Sequence, residues 1–209
     1  MSKNLIIVES PAKAKTIQKF IGKDFTVISS KGHVRDLPQK DLGIDISKSF
    51  EPKYIILDDK KALINDIKKK AQEAEVVWLA TDDDREGEAI SWHLMQVTNM
   101  DPSKVRRIVF HEITKNAIEK ALENPRTLNV DLVNAQQARR VLDRLVGFEL
   151  SPVLWRKVKP QLSAGRVQSA TLKMIYDHEI EIEKFVPEEY WNILTKLDLN
   201  GKNFNLTFL

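Results

Sequence analysis

The stretch that decides the fold is Val76-Val-Trp-Leu-Ala-Thr-Asp-Asp-Asp-Arg-Glu-Gly-Glu-Ala-Ile90. Its first five residues form a continuous apolar run, which predicts a strand buried on both faces of a sheet. Five carboxylates then follow within the seven residues 82–88, and a helix is predicted to begin near Glu86. Because ligands of open α/β sheets bind just beyond the carboxyl ends of the strands, this acidic group is placed for chemistry.

The spacing of the acids favours a metal site. If the backbone stays extended, Asp82 and Asp84 point to the same side, because side chains of a strand alternate. Crowded carboxylates repel one another, and a hard divalent cation such as Mg²⁺ takes oxygen ligands of this kind. The alternative is a solvated acidic turn at a helix N-terminus, where negative charge is mildly favourable. The buried strand in front of the acids favours the metal site.

Composition sets the broad class of the protein. The sequence has 209 residues, 42% of them hydrophobic and 30% charged, which is enough for one or two domains. It has no apolar run near ~18 residues, no signal-peptide pattern and no cysteine, so we expect a cytoplasmic protein with no membrane span and no disulfide. The segment 139–173 carries eight Lys or Arg against two acids, which suits a polyanionic partner.

The order of predicted elements divides the chain near residue 128. Before it, strands at 5–8, 25–28, 54–57, 76–80 and 105–110 alternate with helices, which predicts a mostly parallel sheet with helices on both faces. Glu9 and the pair His111-Glu112 also follow strands. After it, we predict a helix over 130–146, a short helix capped by Ser151, a helix over 165–184 with one buried face, and a hairpin at Asn200-Gly201. The sequence stops inside the return strand, so we expect a truncated chain.

Several motifs together resemble those of bacterial type IA DNA topoisomerases. They are Val8-Glu-Ser-Pro-Ala-Lys-Ala-Lys-Thr16, Ala80-Thr-Asp-Asp-Asp-Arg-Glu-Gly-Glu-Ala89, Phe110-His-Glu-Ile-Thr-Lys115, Asn134-Ala-Gln-Gln-Ala-Arg-Arg140 and Ser163-Ala-Gly-Arg-Val-Gln-Ser169. Their order and spacing match the family over essentially all 209 residues. The resemblance implies a Rossmann-like TOPRIM domain over 1–128, followed over 129–209 by the first part of a mainly helical domain that grips single-stranded DNA and ends in a β-hairpin.

The resemblance also assigns roles to individual residues. Glu9, Asp82, Asp84 and Glu86 fall on the Mg²⁺-binding acids of the family, and Glu9 and Lys13 on its catalytic positions. Positions that hold DNA or shape its groove fall on the following residues: His33, Arg139, Arg140, Asp143, Phe148, Ser163, Arg166 and Gln168. Many bacterial members carry Tyr where this sequence has Phe148, which can still stack on a base but lacks the hydroxyl.

The implied full-length enzyme is a monomer that acts on the bacterial nucleoid. It relaxes negatively supercoiled DNA without ATP, through a transient single-strand break and a 5′-phosphotyrosine. The family's nucleophilic tyrosine lies in a later domain, in a motif like Arg-Thr-Asp-Ser. This sequence has only Tyr54, Tyr176 and Tyr190, none in such a motif. We therefore expect no nucleophilic tyrosine in this chain and no activity from the chain alone.

Other functions fit parts of the sequence. A primase or nuclease core with a TOPRIM domain would share the acidic centre but not the motif of residues 163–169. A Mg²⁺-dependent signalling domain of the phospho-receiver type would share strand-end acids, but it needs one domain of roughly 120 residues and has no place for the basic helical half. A DNA- and metal-binding module without catalysis is compatible with the topoisomerase interpretation.

Overall fold

The computed structural model describes residues 3–208, and the chain forms two compact units that divide between Gly165 and Arg166. The helices are α1 Pro11–Phe20, α2 Lys61–Glu73, α3 Arg85–Thr98, α4 Lys115–Glu123, α5 Val130–Lys157 and α6 Arg166–Lys184. The strands are β1 Asn4–Val8, β2 Phe25–Ser29, β3 Arg35–Asp36, β4 Ile44–Asp45, β5 Glu51–Pro52, β6 Ile55–Ile56, β7 Val76–Leu79, β8 Val105–Arg107, β9 Ile193–Leu199 and β10 Lys202–Phe208.

The first unit is built on a parallel four-stranded sheet in the order β2-β1-β7-β8. The chain moves from β1 to β2 on one side, and its later strands β7 and β8 lie on the other side. This reversal opens a crevice between the carboxyl ends of β1 and β7, which is the usual ligand position in such sheets. The predicted parallel α/β sheet is confirmed, and its switch point lies directly at Glu9 and the acidic stretch.

Helices cover both faces of the sheet, because alternate residues of each buried strand point to opposite sides. Leu5 and Ile7 of β1 pack with α2 and α3, whereas Ile6 and Val8 pack with α1 and α4. All four side chains are buried. Burying an aliphatic side chain of this size contributes about 1.5–3 kcal/mol relative to leaving it exposed, so these two cores hold the strand ends in place.

Residues 54–57 do not form the predicted strand of the central sheet. Only Ile55–Ile56 is a strand, and it pairs antiparallel with Arg35–Asp36 outside the four-stranded sheet. Both isoleucines are exposed, at 45% and 38%. A short apolar run does not distinguish a buried strand from an exposed ribbon, and here Tyr54 is the residue whose side chain packs inward.

The prediction of a separate short helix capped by Ser151 is wrong. Helix α5 runs without a break over 28 residues, and Pro152 lies inside it. Ser151 is buried, and its hydroxyl accepts a hydrogen bond from the backbone N–H of Ala164 at 3.1 Å. Its polar group therefore ties the loop after α5 to the helix instead of starting a new one.

The second unit contains α6 and the β9–β10 hairpin, whose turn lies at Asn200-Gly201 as predicted. The predicted buried face of α6 is wrong for the described residues. Val167, Leu172 and Ile175 are 55%, 67% and 55% exposed. The last residue of the predicted return strand, Leu209, lies outside the described residues. Between residues 3 and 208, no helix is long and apolar enough to cross a membrane.

Candidate active site at the strand ends

Glu9 and Lys13 meet the acidic stretch at the switch point. Glu9 follows β1 directly, and Pro11 begins α1, so Lys13 lies one helical turn from Glu9. The Lys13 ammonium is 2.5 Å from Glu9 Oε1 and 2.5 Å from Asp82 Oδ1. Burial alone would lower the pKa of Lys13, but the hydrogen bonds and charges of Asp82 and Glu9 raise it above its ordinary value. Three residues from two distant motifs thus form one charged group.

Glu9 has a further oxygen available. Its side chain is 15% exposed, and Oε2 is buried without a hydrogen-bond partner among the described residues. A buried carboxylate oxygen that accepts no hydrogen bond is costly unless a cation or proton joins it. The position beside Glu9 therefore favours a positively charged ligand.

The other two predicted ligands hold local contacts. Asp84 caps α3 through a 2.7 Å hydrogen bond from the backbone N–H of Gly87 to Oδ1. Glu86 Oε2 accepts a 3.2 Å hydrogen bond from the side-chain amide of Gln136 and lies 3.5 Å from Nε2 of His33. Gln136 is a buried residue of α5, so Glu86 connects the acidic edge of the sheet to that helix.

Two of the five crowded acids have a structural role. Glu88 is fully buried and bonds the guanidinium groups of Arg107 at 2.8 Å and Arg126 at 2.7 Å. Its second oxygen accepts the backbone N–H of Asn129 at 2.9 Å. Asp83 pairs with the same Arg126 at 2.7 Å. The acidic stretch therefore divides into Asp83 and Glu88, which pair with arginines, and Asp82, Asp84 and Glu86, for which the described residues show no arginine partner.

Arg107 fixes the end of β7. Buried at 1% exposure, it donates hydrogen bonds to the carbonyls of Leu79, Thr81 and Asp82 at 3.1, 2.8 and 2.7 Å. Burial lowers the pKa of Arg107, and the neighbouring Glu88 opposes that shift. Sequence analysis missed this residue, although an arginine inside an otherwise apolar predicted strand is a signal for a buried ion pair.

Gly87 allows the tight turn that the same loop makes. A Cβ at this position would lie 2.1 Å from the backbone oxygen of Asp82. The hydroxyl of Thr81 donates to the Gly87 carbonyl at 2.7 Å and closes the turn. Only glycine therefore lets α3 begin this close to the end of β7.

A polar cavity of about 270 Å³ lies beside the acidic edge. Its lining includes four of the predicted DNA-binding residues, His33, Arg139, Arg140 and Asp143. The other lining residues are Arg35, Asp36, Tyr54, Glu86, His93 and Gln136. Arg140 forms a two-point ion pair with Asp36, in which its Nε and Nη2 atoms lie 2.9 and 2.5 Å from the two carboxylate oxygens. The sequence did not predict this ion pair.

The remaining predicted site residues lie elsewhere. Phe148 is 38% exposed on α5, where the guanidinium of Arg144 lies 5.2 Å from its ring centre. Ser163 is exposed near the end of the first unit, and Arg166 and Gln168 are exposed residues at the start of α6 in the second unit. The strand-end pair His111 and Glu112 is exposed as well. Of these residues, the four that belong to the first unit do not line the cavity, namely Phe148, Ser163, His111 and Glu112.

The carboxylate oxygens at this edge of the sheet are the kind of ligand that a hard divalent cation binds, although they do not converge on one point. In the part of the chain from residue 3 to 208, no three His, Asp or Glu side chains are arranged to hold a metal ion. Glu9, Asp82, Asp84 and Glu86 nevertheless offer oxygen ligands around one strand end, and Glu9 Oε2 has no other partner there.

The parallel sheet, its switch point and the acidic strand end define a Toprim domain, and residues 4–113 match the family model of that name. Residues 127–207 match the model described as DNA topoisomerase. A solved structure of full-length topoisomerase I from Thermotoga maritima is 50% identical in sequence to this chain. The match covers 91% of the present chain, with a TM-score of 0.79. The chain belongs to the bacterial type IA DNA topoisomerase family.

The match covers the two chains unequally. The present chain spans 32% of the length of the Thermotoga maritima protein. Toprim domains in general bind divalent metal ions, which agrees with the oxygen donors at the strand ends.

Proposed function

We propose that this chain supplies the acidic centre and part of the single-strand groove of an ATP-independent topoisomerase. The enzyme relaxes negatively supercoiled DNA through a transient break and a 5′-phosphotyrosine, as a monomer on the bacterial nucleoid. One observation carries the proposal: the Lys13 ammonium bridges Glu9 and Asp82 at the switch point of a Toprim sheet. We assign residues 1–128 to the Toprim domain and 129–209 to the start of the strand-gripping domain.

The reacting groups have separate roles in this proposal. Phosphoryl transfer depends mostly on positioning and on stabilising negative charge. The Lys13 ammonium supplies positive charge to a phosphate at the crevice. Glu9 is placed to carry the proton of the 3′-oxygen that leaves during cleavage and returns during religation. The contact between Glu9 and Lys13 keeps both side chains directed at the same point.

Glu9, Asp82, Asp84 and Glu86 would hold Mg²⁺, as the donor set and the free oxygen of Glu9 suggest. A bound ion there stabilises phosphate charge and positions the 3′ end for religation. Asp82 bonds Lys13 and Asp84 caps α3, each through its Oδ1 atom, so an ion there would compete with these contacts for the two carboxylates. We therefore infer modest Mg²⁺ affinity for this chain without DNA.

A thermal-shift titration tests the metal site. Mg²⁺ should raise the melting temperature, because an ion that binds only the folded state stabilises it. The variant Asp82→Ala/Asp84→Ala should lose this rise. A matched control is Asp58→Ala/Asp59→Ala, which removes two exposed acids at another helix start and should keep it. An unchanged response in the first variant puts the ion elsewhere.

Binding of single-stranded DNA tests the groove. Arg139 and Arg140 line the polar cavity, and affinity that rests on phosphate contacts falls as salt concentration rises. The change Arg139→Ala/Arg140→Ala should weaken binding of an oligothymidylate by far more than Lys68→Ala/Lys69→Ala, which removes two cations of α2. Equal losses in fluorescence anisotropy would indicate unspecific charge attraction instead of a groove.

We further propose that the chain alone forms no covalent bond to DNA. The hydroxyl of Tyr54 is buried without a partner among the described residues, and burial raises the pKa of Tyr54. Tyr176 and Tyr190 lie in the second unit and are 62% and 75% exposed. Incubation with labelled single-stranded DNA and Mg²⁺, followed by denaturation, should give no adduct. An adduct would identify one of these tyrosines as a nucleophile.

A further inference from the structure

Arg35 is held in an unusual way inside the polar cavity. Its Nε donates a hydrogen bond to Nδ1 of His93 at 2.5 Å. Its guanidinium carbon lies 5.1 Å from the ring centre of Tyr54 and 4.8 Å from that of Trp92. These contacts fix the plane of the guanidinium group from the side of Nε and from its faces. The two terminal nitrogens take part in none of these contacts and have no hydrogen-bond partner among the described residues.

The partner of Arg35 is neutral. Burial, together with the positive charge of Arg35, lowers the pKa of His93 to about 3. Nδ1 accepts a hydrogen bond, so the proton of the neutral ring lies on Nε2. Within residues 3–208, no carboxylate lies at ion-pair distance from Arg35, and burial lowers the pKa of this arginine too. The positive charge of Arg35 is therefore held by a neutral histidine and two aromatic rings, and no carboxylate of the described residues neutralises it.

The acids of the same cavity are already engaged. Asp36 holds Arg140 at two points, Asp143 lies 3.8 Å from Arg139, and Glu86 accepts a hydrogen bond from Gln136. Among the described residues that line the cavity, Arg35 is therefore the guanidinium group that has no carboxylate at ion-pair distance. A half-buried charge of this kind is costly unless a ligand pairs with it, and a planar guanidinium matches the geometry of phosphate oxygens.

We propose that Arg35 forms a phosphate subsite in which its terminal nitrogens bind one backbone phosphate of single-stranded DNA. The proposal rests on the proposed function, because it takes the DNA strand as the occupant of the cavity. His93, Tyr54 and Trp92 are positioning residues that hold the guanidinium plane. The neutral acceptor His93 leaves the positive charge undiminished, which a carboxylate in its place would not.

Oligonucleotide binding measured against salt concentration tests this subsite. Loss of one phosphate contact should lower the slope of log affinity against log salt by about 0.7 for a single strand. We expect Arg35→Ala to show this change in fluorescence anisotropy with an eight-residue oligothymidylate, and to bind about tenfold more weakly. Arg35→Lys keeps the charge but not the fork, so it should keep the slope and still bind less tightly. Arg106→Ala, which removes an exposed arginine of β8, is the matched control and should change neither quantity.

Two outcomes separate this inference from the proposed function. If the parent chain binds the oligonucleotide and Arg35→Ala binds with the same affinity and slope, the subsite is wrong while the groove stands. If the parent chain does not bind, the proposed function fails, and a pyrophosphate titration followed by NMR of the Arg35 Nε–H signal tests the subsite by itself. A saturable shift of this signal, absent for Arg106, supports the subsite, and an unmoved signal overturns it. Thermal melting checks that each variant is folded.

Discussion

Acidification should destabilise the first unit through His93, which is only 2% exposed. The ring accepts the hydrogen bond of Arg35 and lies against the aromatic rings of Tyr54 and Trp92, whose centres are 4.5 and 4.9 Å away. The pKa of His93 is lowered from 6.5 to about 3, because burial and the positive charge of Arg35 both disfavour the protonated ring. Between pH 6.5 and about 3, His93 is therefore mostly neutral in the folded protein and mostly protonated in the unfolded chain.

The sign and size of the effect follow from proton linkage. Between pH 6.5 and pH 3 the unfolded state binds one more proton at this position, so the free energy of unfolding falls as pH falls. Each pH unit in this window changes it by about 1.4 kcal/mol. Lowering the pH from 6.5 to 4.5 should remove about 2 kcal/mol, and the whole window about 4 kcal/mol, because His93 of the unfolded chain is only half protonated at pH 6.5. Above pH 6.5 the contribution of His93 is fully present.

Urea unfolding at a series of pH values measures this effect. The matched variant is His93→Asn, because the amide oxygen of Asn can accept the hydrogen bond from Arg35 and does not titrate. Carboxylates and the other histidines titrate in both proteins, so the difference between the two pH profiles isolates residue 93. Parallel profiles from pH 6.5 to 4.5 would refute the reasoning, whatever the absolute stability of the variant.

Three further predictions concern the frame of the site. Arg107→Met should reduce the free energy of unfolding by about 3–5 kcal/mol, because it leaves Glu88 buried with a weakened counter-charge, and adding Glu88→Gln should recover part of this loss in urea unfolding. Gly87→Ala should destabilise the protein by at least about 1–3 kcal/mol, since its Cβ meets the Asp82 carbonyl; an unchanged melting temperature would show that the loop can move away. Thr114→Ala should cost about 1 kcal/mol by removing the cap of α4, and a Thr114→Ser variant that melts like the alanine variant would contradict this explanation.

Sequence was sufficient for the parts of the site that depend on strand ends. Glu9 and Asp82 each follow a short apolar run, and parallel strands bring such positions to one edge, so their approach to Lys13 follows from local pattern and one topological rule. The same reasoning could not predict that Asp83 and Glu88 pair with arginines while the other acids of the stretch do not. That pairing depends on Arg107 and Arg126, which come close only after the sheet has formed.

The errors have a common physical cause. The composition of the run around Ile55 and of α6 predicts buried surfaces, yet burial depends on what lies opposite each side chain. The predicted start of a new helix at Ser151 is wrong because α5 continues through Pro152. Local propensity is a weak guide where tertiary contacts, such as the bond from Ala164 to Ser151, compensate for it.

The hydrogen bond from Gln136 to Glu86 links the position of α5 to the charge of the Glu86 carboxylate at the edge of the sheet. At 3.2 Å it is near the upper limit for such a bond, so a displacement of α5 by about half an ångström from α3 removes it. Arg139 and Arg140 follow Gln136 within about one turn of the same helix. If a bound DNA strand shifts this turn and thereby changes the affinity of the proposed cation site at Glu86, thermodynamic linkage requires that a cation there changes the affinity for the DNA strand by the same factor.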